Sequence, residues 1–280
     1  MKTYTLNTSD GFDLRYATSE VDSTKPWIAF AIPFGVNLEM ARPFVDFFCP
    51  KYNVVTWEAR SILDSHDGPV SSEDFAFDNH VRDLRLVLNV CDAKKFTIVG
   101  YCSGAGVALA AAEQFPEIVS NLILAHGEYV LLGDKGCTSQ FATEIDTLLS
   151  LAAKNEDHLS LVFNKIKDNR FGDSSNRPDG IDLPFTRIEF LRRYSANYLQ
   201  YKKIDFKNIA KNVSNKTFVM TGEKDLQSNV KSSEAIHSLL KNAEIYIDVE
   251  SDHYELLREA SKSMIKIWNY LFESRAYGAF

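Results

Sequence analysis

Short apolar runs rich in β-branched residues alternate along the chain with stretches of helical periodicity. This is the pattern of an α/β protein with a mainly parallel sheet. Lys2–Asn7 and Phe12–Ser19 alternate polar and apolar positions, and Asp10-Gly11 between them predicts an antiparallel opening hairpin. Trp27–Phe34, Asn53–Glu58, Lys95–Tyr101 and Val119–Ala125 are continuous apolar strands of the kind buried on both faces. The spacing predicts helices between them over Asn37–Phe48, Ser72–Cys91 and Ser103–Phe115. From Gly127 to Asn212 the pattern changes to helical stretches around a polar Gly/Asp/Asn loop at Phe171–Asp182, with no buried strand. Alternation resumes with a strand at Lys216–Thr221, a helix at Ser232–Lys241 and a strand at Glu244–Val249. A long helix from Tyr254 to about Glu273 follows, with Leu257, Ala260, Met264, Trp268 and Leu271 on one face. The expectation is a core of residues 1–126 and 213–280 around eight strands, with a helical cap, 127–212, inserted after the sixth.

Composition narrows the classes. A chain of 280 residues with 45% hydrophobic and 25% charged residues suits one large domain with an insertion, and excludes disorder, collagen and coiled coil. The net charge of −7 argues against nucleic acid as a partner, because phosphate backbones select a basic face. The N-terminal residues form no apolar stretch of signal-peptide length, and no run approaches the roughly 18 apolar residues of a membrane span. A cytoplasmic protein without membrane contact is expected. Cys49, Cys91, Cys102 and Cys137 show no CxxC pairing, so neither a metal site nor a disulfide framework is indicated. Cys49 and Cys91 each close a predicted helix and read as structural thiols, and Cys137 has no assigned role.

Cys102 is distinguished by position. Phe96 to Ala108 runs from a strand into a small-residue helix through Gly100-Tyr101-Cys102-Ser103-Gly104. A nucleophile on such a strained turn needs small neighbours two residues away on each side. Gly100 and Gly104 frame Cys102. The rival, Ser103, is framed by Tyr101 and Ala105. A helix N-terminus at the thiol favours negative charge on sulfur. Downstream, one strand ends at Thr221-Gly222-Glu223-Lys224-Asp225, and the next leads into Ser251-Asp252-His253. Nucleophile, acid and base in that chain order match the order of hydrolase sheets that use such an elbow.

From Gly11 to Phe272 the chain resembles the α/β-hydrolase superfamily. The resemblance implies an α/β-hydrolase fold and a Cys102–His253–Asp225 triad, with Glu128, just after the sixth strand, as the alternative acid. It also places an oxyanion hole at the backbone N–H groups of Ser103 and of Phe34 or Gly35, in Ile32-Pro33-Phe34-Gly35. Trp57-Glu58-Ala59-Arg60, followed by Asp67-Gly68, resembles the family's post-strand Asp-x-Arg-Gly segment. Pro33-Phe34 replaces the usual His-Gly, and Cys102 the usual serine, as in dienelactone hydrolases, polyhydroxyalkanoate synthases and some thioesterases of natural-product assembly lines.

A thiolate attacking a thioester exchanges one thioester for another almost isoenergetically, whereas an oxoester must expel alkoxide while the thiolate is the better leaving group. This predicts a thioesterase or acyltransferase acting on an activated acyl group through a thioester acyl-enzyme, without a cofactor. An oxoester or lactone hydrolase of the dienelactone-hydrolase type uses the same residues. A catalytically silent binding protein of this fold is argued against by the intact elbow, acid and histidine. Arg187 to Lys216 carries eight basic and two acidic residues. Arg192 and Arg193 are candidates for the phosphates of coenzyme A or of a carrier-protein phosphopantetheine, and a solvated helix face with snorkelling side chains is the alternative. Tyr194, Tyr198 and Tyr201 are expected to pack the cap onto the core rather than line a pocket.

Overall fold

The strands align by burying whole apolar runs between two layers of helices. In the computed structural model, which describes residues 1–63, 71–134, 136–168 and 177–276, eight strands form one sheet in the order β1-β2-β4-β3-β5-β6-β7-β8. They are β1 (Lys2–Asn7), β2 (Asp13–Thr18), β3 (Trp27–Ala31), β4 (Asn53–Trp57), β5 (Phe96–Tyr101), β6 (Val119–Ala125), β7 (Thr217–Gly222) and β8 (Ala243–Asp248). The β1–β2 hairpin joins β4 antiparallel, and β4, β3, β5, β6, β7 and β8 run parallel. This is an α/β-hydrolase fold, as the sequence predicts.

The two-residue period of the strands sorts side chains onto the two faces. Trp27, Ala29 and Ala31 join Ile98, Leu122 and Val219 on one face, under α2 (Phe77–Asn89), α3 (Ser103–Gln114), α7 (Phe206–Asn212) and α8 (Val230–His237). Ile28 and Phe30 join Val99, Ile123 and Phe218 on the other, under α1 (Arg42–Phe48) and α9 (Lys262–Ala276). Each fully buried Leu, Ile or Phe contributes about 1.5–3 kcal/mol relative to exposure. The central strands therefore set the register, and their C-terminal ends line up at one edge.

Several expected boundaries move. The strand at Trp27 stops at Ala31, because Ile32-Pro33-Phe34-Gly35 turns, with Val36 N–H donating to the Pro33 carbonyl (3.2 Å) and Gly35 at φ +78°. The helix expected from Ser72 is a 3-10 turn, Ser72–Phe75, followed by α2. Ala76 between them is extended, and the Asn79 amide donates to the carbonyls of Glu73 and Asp74. The last helix starts at Lys262 rather than Tyr254. Arg258 is extended, Ala260 sits at φ +45°, and Ser261 Oγ accepts from Met264 N–H (3.3 Å).

Between β6 and β7 no strand is found among the described residues. Helices α4 (Gln140–Ala152), α5 (Glu156–Asp168) and α6 (Ile188–Tyr201) pack on each other through Leu149, Ala152, Leu159, Val162, Ile166 and Leu191. This cluster is separate from the two faces of the sheet, whereas α7 packs on α3 of the core. Arg60 is buried between Asp83 (2.7 Å) and Asp10 (2.6 Å), and Glu58 accepts from Leu38 N–H (3.0 Å), which braces the loop after β3. These are structural tasks for the Glu58-Ala59-Arg60 segment. Asp67 and Gly68 lie outside the described residues.

Candidate functional site

Cys102 stands between β5 and α3 with φ +53° and ψ −123°, a conformation that costs a non-glycine residue of order 1–3 kcal/mol. The surroundings hold it there. Its N–H donates to the Ala125 carbonyl (3.1 Å), and its carbonyl accepts from Glu128 N–H (3.2 Å). A Cβ on Gly100 would lie 2.6 Å from Ala105 Cα, and one on Gly104 would lie 2.1 Å from the Ala31 carbonyl oxygen. The two glycines thus let the helix start pack directly against β3 and β5.

Behind the thiol, His253 and Asp225 meet at the ends of β8 and β7. His253 Nδ1 lies 2.8 Å from Asp225 Oδ2, and Asp225 Oδ1 accepts from the N–H groups of Gln227 (2.9 Å) and Ser228 (2.8 Å). The Tyr101 hydroxyl donates to the His253 carbonyl and so fixes the backbone of the loop. His126, which was not singled out in the sequence, places its own Nδ1 3.0 Å from the same Oδ2. A carboxylate only accepts, so both imidazoles donate from Nδ1 and both leave Nε2 free of that proton or available for another. His126 reaches in from a left-handed residue, φ +49°, directly after β6.

The electrostatics follow from burial against pairing. Burial opposes ionisation of Asp225, but the His253 and His126 rings outweigh it and hold the carboxyl well below the usual range. Burial likewise opposes the His253 cation, and the Asp225 carboxylate and the Cys102 sulfur, which is also its hydrogen-bond partner, outweigh it and hold the ring well above the usual range. His126, Asp225 and His253 also bring three ligand-type atoms within 4.8 Å of one another. Their Nδ1 atoms are already committed to one carboxylate oxygen, so the set works as a hydrogen-bond hub.

Glu128 is not in contact with either histidine through a hydrogen bond among the described residues. Its Oε1 accepts from Val130 N–H (2.8 Å), and Glu128 lines a cavity of about 100 Å³ that Cys102 also lines. Burial lifts this carboxyl to about 7. A second cavity of about 90 Å³, toward His253 and Arg177, shares Cys102, Phe34 and Tyr194 with the first. The expectation for the tyrosines is corrected here. Tyr194, Tyr198 and Tyr201 all line the first cavity, because one face of α6 lies over the elbow. Tyr201 also packs the helix down, with its hydroxyl near the Ser103 (3.1 Å) and Glu128 (2.6 Å) carbonyls.

The expected oxyanion donors sit at the same point. Ser103 is the first residue of α3, and Phe34 N–H donates to Ser103 Oγ (2.9 Å), while Gly35 follows in the turn. Arg192 lies on the outer side of α6 in an ion pair with Glu156 (2.5 Å), and neither it nor Arg193 lines either cavity. Cys91 is buried, with its thiol pushed up to about 12, while Cys49 and Cys137 are half-buried.

The alpha/beta hydrolase fold family matches residues 51–260, three-quarters of the chain. An L-allo-isoleucyltransferase of Pseudomonas savastanoi pv. glycinea is 26% identical over 242 residues, covering 84% of this chain and 83% of its own. The fold is also that of an enol-lactonase from Burkholderia xenovorans (TM-score 0.75, 13% identity, 96% of this chain and 100% of that one). A hydrolase from Pseudomonas aeruginosa superposes similarly (TM-score 0.72, 16% identity, 96% and 98%). With sheet order, elbow and matched length in agreement, the chain belongs to the alpha/beta hydrolase fold family.

Proposed function

We propose that this protein is an acyltransferase that carries an aminoacyl group as a thioester on Cys102. The observation that carries the reading is a thiol on a strained elbow, with the His253–Asp225 pair behind it and a small cavity in front. The named activity of the L-allo-isoleucyltransferase relative, transfer of an amino-acid acyl group, supplies the acyl class.

His253 takes the Cys102 proton, and Asp225 holds the ring and stabilises its cation. The sulfur attacks the carbonyl carbon of a donor thioester, whose oxygen takes up the negative charge. The N–H of Ser103 and that of Phe34 or Gly35 receive this oxyanion, and Phe34 N–H exchanges its Ser103 Oγ partner for it. Loss of one such donor costs on the order of 100- to 1000-fold in rate. Collapse breaks the bond to the donor sulfur, which leaves with the proton from His253. The acceptor thiol then repeats the sequence, and Cys102 is the leaving group. A water in place of that thiol makes the same site a thioesterase.

Segment 127–212 serves as the lid, with α4 and α6 roofing the acyl cavity. The donor and acceptor thiols belong to coenzyme A or a carrier protein. Arg192 and Arg193 on α6 meet their phosphates, because an exposed pair such as Arg192–Glu156 is worth only about 0–1 kcal/mol and a phosphate competes with it. Intact-protein mass spectrometry after mixing with aminoacyl-thioesters tests the proposal. The expected result is a single adduct of the acyl mass, absent in Cys102→Ala and discharged by an added thiol. An adduct that persists in Cys102→Ala, or faster acylation by the matching oxoester, overturns it.

A further inference from the structure

Among the described residues lining the acyl cavity, Glu128 is the one carboxylate, and there is no lysine or arginine to neutralise it. Its position is tied to the elbow, since its N–H donates to the Cys102 carbonyl and its own carbonyl accepts from Tyr201. The triad acid position is taken by Asp225, which already holds both histidines. Glu128 therefore lies beside the acyl site, and among the described residues its carboxylate has a single backbone N–H as its hydrogen-bond partner. Around it the wall is mainly apolar, with Val130, Leu132 and Ile145 among its residues. An unpaired carboxylate in such a place is costly, and burial accordingly holds it half-protonated near neutral pH.

A second polar group shares the wall. Ser228 is fully buried, its Oγ has no hydrogen-bond partner among the described residues, and it lines the same cavity. A carboxylate and a hydroxyl oxygen are two acceptors. An ammonium group, with three donors and a positive charge, matches both and offsets the burial cost of the carboxylate. The size of the cavity fits this ligand as well. At about 100 Å³ it is smaller than the roughly 150 Å³ that hold one benzene, so it takes a short aliphatic side chain and not a fatty chain.

Resting on the aminoacyl-transfer reading, we infer that Glu128, assisted by Ser228, is the recognition site for the free α-ammonium of the acyl group. The substrate class is then narrowed to α-aminoacyl thioesters with a small branched apolar side chain and an unmodified amine. N-acylated aminoacyl groups and simple alkanoyl groups lack the cation and are discriminated against. The carboxylate acts on binding and orientation, and takes no proton from the reacting thiol.

Two measurements separate this inference from the reading it rests on. The first is the rate of Cys102 acylation by an isoleucyl thioester of N-acetylcysteamine against its des-amino analogue, 3-methylpentanoyl. The wild-type ratio is expected to be at least about 50 beyond the ratio of the two thioesters' uncatalysed reactivities with a free thiol, and Glu128→Gln, which keeps the shape and removes the charge, to abolish that excess. An excess that survives in Glu128→Gln overturns the ammonium site. The second is calorimetric titration of isoleucinamide, which has the ammonium and side chain but no leaving group, into Cys102→Ala and Cys102→Ala/Glu128→Gln. Binding is expected in the first and at least tenfold weaker in the second, and equal affinities overturn the inference whatever the acylation assay gives. Glu128-dependent binding with no acylation by any thioester overturns the transfer reading and leaves the ammonium site in place.

Discussion

Two carboxylates flank the Cys102 elbow, Asp225 buried and Glu128 half-buried, and the chain treats them in opposite ways. Asp225 is surrounded by donors, with two imidazoles on one oxygen and two backbone N–H groups on the other, so its charge is stabilised despite burial. Among the described residues Glu128 has one backbone N–H and a mainly apolar wall, so its charge is resisted. Environments that push two acids apart separate their roles. A carboxylate fully satisfied by the protein is equipped to hold a histidine through a reaction. One left short of partners is equipped to receive a cation from outside.

Removing the charge at Asp225 has the largest expected effect. Asp225→Asn keeps the side-chain shape but gives His253 no anion to stabilise its cation. The rate of Cys102 acylation is expected to fall by about 10⁴-fold, and stability by on the order of 3 kcal/mol in a urea titration. The pH dependence has a definite sign. The folded-state pKa of Asp225 is depressed below its ordinary 3.8, so its contribution is present above that value and lost as pH falls through the folded value. The wild-type protein should therefore lose stability in acid more steeply than Asp225→Asn. Parallel acid profiles would erase the distinction between the two carboxylates.

The same operation at Glu128 is expected to do the reverse. Its folded value of about 7 lies above the ordinary 4.5, so between those values the folded state binds the extra proton and stability falls as pH rises. Glu128→Gln removes that penalty. In thermal melts without substrate it should be more stable than wild type by about 3 kcal/mol at pH 8, roughly 5 °C in Tm, and indistinguishable at pH 4. Equal shifts at both pH values would mean that packing, not charge, sets the difference.

Much of this arrangement was legible in the residues themselves. The elbow is local, since Gly100, Cys102 and Gly104 lie within five positions and their spacing reflects close backbone approach. Asp225 and His253 stand out because each follows a predicted strand and because nucleophile, acid and base occur in the chain order of hydrolase sheets with such an elbow. What was not legible depends on lateral neighbours. His126 meets Asp225 only because β6 lies beside β7, and nothing local to Ala125-His126-Gly127 marks a ring that spans 99 positions to a carboxylate. The tyrosines of α6 have a helical period that fits packing and pocket-lining equally, and the position of the helix over Cys102 decides for both. The late start of α9 turns on a left-handed Ala260, a conformation that alanine does not announce.

His126 offers the smallest and most selective test of the Asp225 side. It adds a second donor to the oxygen that already holds His253, and so spreads the charge that stabilises the His253 cation. Asparagine tolerates the left-handed backbone at this position but is too short to keep the imidazole's contact, so His126→Asn removes the hydrogen bond without adding backbone strain. With that competitor gone, Asp225 acts on His253 alone and holds its proton more tightly. In the proposed mechanism deacylation needs His253 neutral to accept a proton from the incoming thiol, so its pH profile should move upward, with a rate loss of about three- to tenfold at pH 7. Acylation by a thioester, in which a more basic His253 takes the Cys102 proton more readily, should be less affected. A profile that does not move would assign His126 to packing under the elbow and leave the His253–Asp225 pair acting alone.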